Sequence, residues 1–347
     1  MAKLLTIIVP SYNMEAYLPK CLRSLVVDDK ELLQKLDVII VNDGSKDRTS
    51  EIAHEFESRY QGVFRVIDKV NGNYGSCINA ALTVAKGRYI KVLDADDWFE
   101  TNNFQFFLSE LQNAAEDVIL TDFELVDLKG EVIESHRNII NEKIRNISQF
   151  SDELCSHLPT PSITYRLALL TKIGYRQTEG IAYTDQEWDY MPMSLASTCR
   201  YFPLVIYKYV MGRDGQTCSE EQRLKQVGVE AQIALGIVRF YLKNTELFHQ
   251  DARHYMKTRM LYRARRIYSY FLLEYRHVLP LQDLMSYDRL IKELDTQIYD
   301  EVGEVELSSK LHFHYIREWR EKRSRTTFKF LTFLMYVKAM RLVSRLF

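Results

Sequence analysis

The sequence predicts an α/β fold, a parallel sheet covered by helices on both faces, followed by a mainly α-helical region. Three observations carry this. Short apolar runs alternate with amphipathic helical patterns through the first hundred residues, as βαβ units require. The runs are apolar throughout rather than alternating, the mark of strands buried on both faces. After about Glu220 strand signals fade and helical periodicity rich in Arg and Tyr takes over. Two domains follow, 1–219 and 220–347, an ordinary division for 347 residues.

In order, Leu4–Val9 reads as the first strand, followed by a helix from Ala16 to Val26. Strand Asp37–Val41 precedes a helix from Thr49 to Tyr60. Strand Phe64–Ile67 precedes a helix from Ser76 to Ala85, and strand Tyr89–Leu93 ends at an acidic cluster. A helix from Asn102 to Ala115, strand-like Val118–Leu125, Ser162–Tyr165 and strand-like Tyr201–Tyr209 complete the first region. Loops at the carboxyl ends of parallel strands form the ligand crevice of such folds. Here they hold Pro10-Ser11-Tyr12-Asn13, Asn42-Asp43-Gly44-Ser45, Asp68 to Gly75 and Asp94-Ala95-Asp96-Asp97.

Composition narrows the class. Hydrophobic residues at 46% and charged ones at 27% exclude a largely disordered chain, and 13 Gly with 7 Pro exclude collagen-like or linker-rich sequences. The 22 Tyr and 17 Phe suit a large aromatic core or a sugar-lining surface. Five scattered cysteines form neither a CxxC pair nor an even framework, so a reducing, cytoplasmic setting is expected. The apolar stretch Leu4–Val9 is too short for a signal peptide or a span.

Each loop has chemistry of its own. Three carboxylates in Asp94-Ala95-Asp96-Asp97 repel one another unless a cation or donors offset them, and oxygen ligands suit Mg²⁺ or Mn²⁺ bridging to phosphates. The alternative is a turn, with Asp97 capping the next helix. Asp43 suits acceptance of hydrogen bonds from a base or ribose, and the same residues also make an ordinary turn in which Ser45 or Asp47 caps the following helix. Asn71-Gly72-Asn73-Tyr74-Gly75-Ser76 opens a helix whose free amides suit an anion. It is neither GxGxxG nor a Walker A loop, so dinucleotide and P-loop folds lack their fingerprints.

In order and spacing, TIIVPSYNMEAYLPKCLRSL, DVIIVNDGSKDRTSEIAHEF and NGNYGSCINAALTVAKGRYIKVLDADDWF resemble successive motifs of family 2 glycosyltransferases. The likeness is nearly unbroken from Leu4 to Phe99 and patchy to Ser219. It implies a GT-A type fold, a Rossmann-like mixed sheet flanked by helices, and an inverting transferase using a nucleotide-diphosphate sugar, UDP-linked by expectation. Pro10, Tyr12 and Asp43 match positions holding the base and ribose, with Asn71 and Gly75 in the following donor loop. Asp94, Ala95 and Asp96 match the DxD motif that meets the donor and its Mn²⁺ or Mg²⁺, and Asp97 leaves the register open. Asp185 matches the catalytic base, with Glu187 the alternative and Thr184 where Glu often sits. Arg213, in Gly212-Arg213-Asp214-Gly215-Gln216, matches a loop that approaches the diphosphate or is a plain turn. Ile78 departs from the family, many members having Arg there.

A QxxRW motif and a span-length apolar run are both missing from the sequence, which favours transfer of one sugar over polymerisation. The expected acceptor is a saccharide or lipid-linked saccharide of cell-envelope or exopolysaccharide synthesis. A sugar-nucleotidyltransferase would need a Gly-rich loop with basic residues after the first strand, which Pro10–Met14 does not supply. A catalytically inactive saccharide-binding scaffold is the rival of another class. From Arg253 onward 19 Lys and Arg stand against 11 Asp and Glu, whereas the preceding residues hold 27 against 36. Arg259, Arg263, Arg265 and Arg266 interleave with Tyr255, Tyr262, Tyr268 and Tyr270. At the end, Lys338, Arg341 and Arg345 form a helical stripe beside Phe330, Phe333, Val337 and Met340. This suits peripheral contact with an anionic membrane, at the inner face of the cell membrane, or packing on the chain itself or a second subunit. No nucleic-acid recognition motif accompanies the basic residues.

Overall fold

The computed structural model describes residues 2–138, 145–213, 216, 220–306 and 313–323. The chain divides into two compact units, Met1–Ser219 with Asn244–Thr258, and Glu220–Lys243 with Arg259–Phe347.

The first unit is built on one sheet in the order β3-β2-β1-β4-β8-β6-β9-β5, with β7 paired to β6. Strands β1 (Leu5–Ser11), β2 (Leu36–Asn42), β3 (Phe64–Asp68) and β4 (Tyr89–Val92) are parallel. Every residue of β1, β2 and β4 is buried, which is why apolar residues dominate them without strict alternation. Helices α1 (Leu18–Ser24), α2 (Lys30–Gln34), α3 (Thr49–Arg59) and α4 (Asn73–Leu82) lie between these strands in the chain. Ile7, Val9, Val38 and Ile40 share one core with Leu18 and Leu22 of α1 and with Phe104, Phe107 and Leu111 of α5 (Thr101–Leu111).

Beyond β4 the parallel pattern ends and the sheet becomes mixed. The added strands are β5 (Trp98–Phe99), β6 (Val118–Val126), β7 (Val132–His136), β8 (Ile163–Arg166) and β9 (Cys199–Val210). β8 runs antiparallel to β4 and β6, β9 runs parallel to β6, and β5 runs antiparallel to β9. Asp97 does not cap α5: the Glu100 carboxylate takes that place, accepting from the Asn103 amide at 2.7 Å. Short helices α6 (Asp152–His157), α7 (Leu167–Lys172) and α8 (Asp185–Trp188) complete the first unit's connections. Aromatic residues fill much of its core, with Tyr89, Phe99, Tyr165, Trp188, Tyr190 and Tyr207 all buried.

The second unit is helical. Its elements are α9 (Glu220–Asn244), α10 (Arg253–Ser269), a π-turn at Tyr270–Glu274, α11 (Leu281–Leu294), α12 (Thr296–Gly303) and α13 (Tyr315–Lys322), the ends of α9 and α10 reaching into the first unit's residues. Several of its basic residues serve its own packing. Asp288, 2% exposed, accepts from Arg320 at 2.7 Å, Tyr268 at 2.8 Å and Arg323 at 3.1 Å. Arg265 donates to the Glu301 carbonyl at 2.6 Å, Arg266 pairs with Glu274, and Arg259 is buried. Lys338, Arg341, Arg345 and their aromatic neighbours lie outside the described residues. Among the described residues no helix is long and apolar enough to cross a membrane.

Candidate active site

The sequence-predicted residues of the first unit gather along the carboxyl ends of β1, β2 and β4. Pro10 is buried near the end of β1, Ser11 closes the buried run, and Tyr12 follows with 43% of its surface exposed. Asn13 turns the chain at φ 53°, a left-handed conformation that Asn tolerates better than most residues. Its amide donates to Ser45 Oγ at 3.0 Å, and its side chain accepts from the Lys46 amide at 2.8 Å. The Met14 amide donates to Thr49 Oγ1 at 2.7 Å. The loops after β1 and β2 are thereby tied into one wall. Asp47 serves this wall by accepting the Glu15 and Thr49 amides, each at 3.0 Å.

Asp43, 3% exposed, is held from the β3–α4 loop. Its Oδ1 accepts from Lys69 Nζ at 2.7 Å and from the Gly72 amide at 3.0 Å, and Asn71 Nδ2 donates to its carbonyl at 3.0 Å. A carboxylate thus sits at the amino end of α4, where free amides favour an anion, and it belongs to the chain itself. Lys69 also donates to Ser76 Oγ at 2.8 Å. Lys69 is a site residue that sequence reasoning missed; a single Lys in a loop carries no pattern.

Gly75 is required by a close approach. A Cβ there would lie 2.0 Å from the Thr178 carbonyl oxygen, so no other residue fits without moving the backbone. Asn79, one turn on, donates to the Gln177 carbonyl and accepts the Gln177 amide, each at 2.8 Å. Segment 177–180 is therefore fastened to α4, and it in turn positions α8. Gln177 Nε2 donates to Thr184 Oγ1 at 3.0 Å. Thr178 donates through its amide and its hydroxyl to the two oxygens of Glu187, each at 2.7 Å. Glu187 is buried and its carboxyl is pushed above its ordinary value by that burial, with the Thr178 bonds opposing. Asp185, at the first position of α8, is half-buried and does not cap the helix: Thr184 is the N-cap and makes no side-chain cap bond.

The acidic cluster separates into three environments. Asp97, 2% exposed, accepts from Tyr207 Oη and from the Val210 amide, each at 2.7 Å, so β9 occupies both of its oxygens. Asp96 accepts from Arg213 Nε at 2.8 Å, a pair whose side chains are 11% and 18% exposed. Asp94 accepts from Tyr74 Oη at 3.1 Å, and its amide donates to Tyr207 Oη at 3.2 Å. The Asp94 carboxyl is pushed up to about 7, by burial first and then by the charges of Asp96 and Asp185, with Tyr74 and Arg213 opposing. Asp185 is thus close enough for its charge to act on Asp94. Ala95, 2% exposed, packs in the core below. Tyr207 is a second residue that sequence reasoning missed, because a strand tyrosine looks like any other core aromatic.

Asp94 and Asp96 fit part of a divalent-cation site. Among the described residues no group of three or more His, Cys, Asp or Glu is placed to hold a metal ion. Mg²⁺-type ions need no such cage: they bind through one or two carboxylates and complete their shell with water and substrate phosphates. Arg213 already brings a positive charge to Asp96, which marks the spot as one that attracts a cation.

Parallel strands with nucleotide-type loops at their carboxyl ends, extended by a mixed half that brings in β9 and α8, define a GT-A type domain. Residues 6–172 match the model of glycosyl transferase family 2, and over this stretch the chain is similar to members of that family. The uncharacterized glycosyltransferase MG025 homolog of Mycoplasma pneumoniae is 44% identical over 104 residues, 29% of this chain and 34% of that protein. The uncharacterized glycosyltransferase EpsJ of Bacillus subtilis is 35% identical over 119 residues, 34% of this chain and 33% of that protein. The matched stretch thus spans about a third of these relatives' length. A crystal structure of S. aureus TarS 1–349 in complex with UDP-GlcNAc superposes with a TM-score of 0.66 at 19% identity, covering 93% of this chain and 89% of that one. That likeness is one of fold.

Proposed function

We propose that this chain transfers a single sugar, with inversion, from a nucleotide-diphosphate donor to a saccharide or lipid-linked saccharide acceptor. The donor is UDP-linked in this reading, which the UDP-GlcNAc held by the structurally similar TarS supports. One observation carries it: the opening turn of α4 joins the two loops, Gly72 donating to Asp43 and Tyr74 donating to Asp94, so the position for the base and the acidic pair lie side by side.

Asp43 accepts a hydrogen bond from the base while Lys69 and Gly72 fix its carboxylate, and Pro10 and Tyr12 wall the same end. Asp94 and Asp96 hold Mn²⁺ or Mg²⁺, which when bound offsets the charge growing on the departing diphosphate. Arg213, paired with Asp96, is the side chain this reading assigns to that diphosphate. Asp185 takes the acceptor hydroxyl's proton as the oxygen attacks the anomeric carbon. The bond from that carbon to the diphosphate oxygen breaks, and the nucleoside diphosphate leaves. Glu187 is the weaker candidate for base, since Thr178 occupies both of its oxygens. The chain works on cell-envelope or exopolysaccharide glycan in this reading, on the cytoplasmic side, with residues 324–347 resting on the anionic membrane face.

The test is calorimetric binding of nucleoside diphosphates and their sugar conjugates, with and without Mn²⁺, to wild type and Asp96→Ala. Metal-dependent binding of one nucleotide, lost in the variant, is the expected result. Failure of every nucleotide to bind would overturn the transfer reading and leave a saccharide-binding scaffold.

A further inference from the structure

One side chain on this rim has a place that the motifs do not explain. Tyr74 is the second residue of α4, and the backbone that aims it is fixed from both sides. On one side the Gly72 amide is bound to Asp43 at 3.0 Å. On the other the Gly180 amide donates to the Gly72 carbonyl at 2.9 Å, and Gly75 backs onto Thr178. Between them Asn73 turns the chain at φ 65°. So held, the half-buried Tyr74 ring presents its hydroxyl to Asp94 Oδ1 at 3.1 Å.

The surroundings of that hydroxyl are acidic. Burial is the main cause that raises the Tyr74 phenol, and the charges of Asp94, Asp185 and Asp189 add to it. Among the described residues, the two part-buried cations nearest this rim are engaged, Arg213 on Asp96 and Lys69 on Asp43, and Lys46 stands exposed in the wall after β2. From α4 itself, the next residues after Gly75 are Ser76, Cys77 and Ile78, none of them positive.

We propose that Tyr74 contacts the donor's sugar and that this sugar is uncharged, a hexose or N-acetylhexosamine rather than a hexuronic acid. The proposal rests on the transfer reading above. In that reading the base end of the donor lies at Asp43, and the carbon transferred must come near Asp185. Tyr74 bonds to Asp94 and lies within the field of Asp185, so it flanks the sugar rather than the base. A sugar hydroxyl both donates and accepts. It replaces the single bond between Tyr74 and Asp94 with two, donating to the carboxylate and accepting from the phenol. A hexuronate would instead bring a further carboxylate against Asp94 and Asp185, where the divalent ion that Asp94 and Asp96 would hold and Arg213 are already offset by Asp96 and the donor's diphosphate, a like-charge arrangement that selects against it.

The experiment compares wild type and Tyr74→Phe by calorimetry with UDP, UDP-glucose, UDP-galactose, UDP-N-acetylglucosamine and UDP-glucuronate in the presence of Mn²⁺. Thermal melting checks that the variant is folded. Wild type should bind one of the neutral conjugates at least about tenfold more tightly than the glucuronate. Tyr74→Phe should hold UDP within about twofold and weaken that neutral conjugate about five- to tenfold, the loss of one hydrogen bond. Glucuronate bound as tightly as any neutral conjugate would overturn the proposal. So would a variant that weakens UDP and the conjugate equally, or one that leaves the conjugate unaffected. Wild type that binds none of the five compounds brings down the transfer reading and this inference together. Wild-type binding with a silent variant brings down the inference alone.

Discussion

Tyr207 and Asp97 stand 110 positions apart in the chain and meet at 2.7 Å. The same hydroxyl accepts the Asp94 amide at 3.2 Å, so one atom of β9 fixes two residues of the loop after β4. Since the ring is buried, Tyr207→Phe removes a hydrogen bond without opening the core and leaves the Asp94 amide and one Asp97 oxygen short of a partner. The expected cost is about 1–3 kcal/mol of stability. Urea unfolding measures it. A variant as stable as wild type would show that the clamp contributes nothing.

This contact also marks where sequence reading stops. Three of the four parallel strands, β1, β2 and β4, were legible because they are buried on both faces and carry no strict polar alternation. The acidic loop was legible as a cluster but not as a register, because nothing local tells Asp96 from Asp97. What separates them is Arg213 on one and Tyr207 with the Val210 amide on the other, all from more than a hundred residues downstream. The mixed half of the sheet was hard for a related reason. β5 has two residues and β8 four, too few to display a period. Gly75 was noticed for its loop, whereas its reason for being Gly is the Thr178 carbonyl.

The pair between Arg213 and Asp96 sets the second prediction. A guanidinium at 2.8 Å from this carboxylate competes with any metal ion that seeks the same oxygens. Arg213→Gln should therefore raise the affinity of the nucleotide-free protein for Mn²⁺ by about fivefold, the worth of a partly screened ion pair. If Arg213 also serves the diphosphate, the same variant should weaken nucleotide binding measured with Mn²⁺ in excess. Titration of Mn²⁺ followed by electron paramagnetic resonance separates the two effects. Unchanged Mn²⁺ affinity would dismiss the competition.

Lys91 gives a dependence on pH. It lies fully buried on β4, donating to the carbonyls of Pro161 at 2.6 Å and Ile163 at 3.2 Å, and burial pushes its ammonium down to about 7. An unfolded lysine titrates near 10.4, so between these values the unfolded chain binds more protons than the folded one. Stability should rise with pH across that window, by up to about 1.4 kcal/mol per unit, and the penalty should be complete below pH ~7. Lys91→Met removes the titrating group. Urea titrations of both proteins from pH ~6 to ~9 should show wild type gaining on the variant above pH ~7. Parallel curves would place the ammonium in ordinary water.

Residues 324–347 hold the basic and aromatic stripes of the sequence, and in the helical unit Arg265, Arg266, Arg320 and Arg323 are already bonded internally. The membrane reading assigns contact with an anionic surface to the terminal segment. The full chain should cosediment with vesicles containing about a third phosphatidylglycerol and release as salt shortens the Debye length below ~8 Å. A chain ending at Arg323 should stay in the supernatant. Equal sedimentation of the two would assign the segment to packing or to a second subunit.

Asp185 and Glu187 lie two residues apart on α8 and should fail in different ways. The two Glu187 oxygens are held by Thr178, whose neighbour Gln177 in turn holds Thr184, so Glu187 ties α8 to the segment fastened on α4. Glu187→Gln keeps the shape but turns one acceptor oxygen into a donor that faces the Thr178 amide or hydroxyl. The melting temperature should drop while transfer per folded molecule falls only modestly. Asp185→Asn removes the proton acceptor. It should leave melting and nucleotide binding near wild type and cut kcat by at least about a hundredfold. Stopped assays of sugar transfer alongside melting curves distinguish the outcomes. Full transfer by Asp185→Asn with loss in Glu187→Gln would exchange their roles, and the Thr178 pair would then be the device that holds the base.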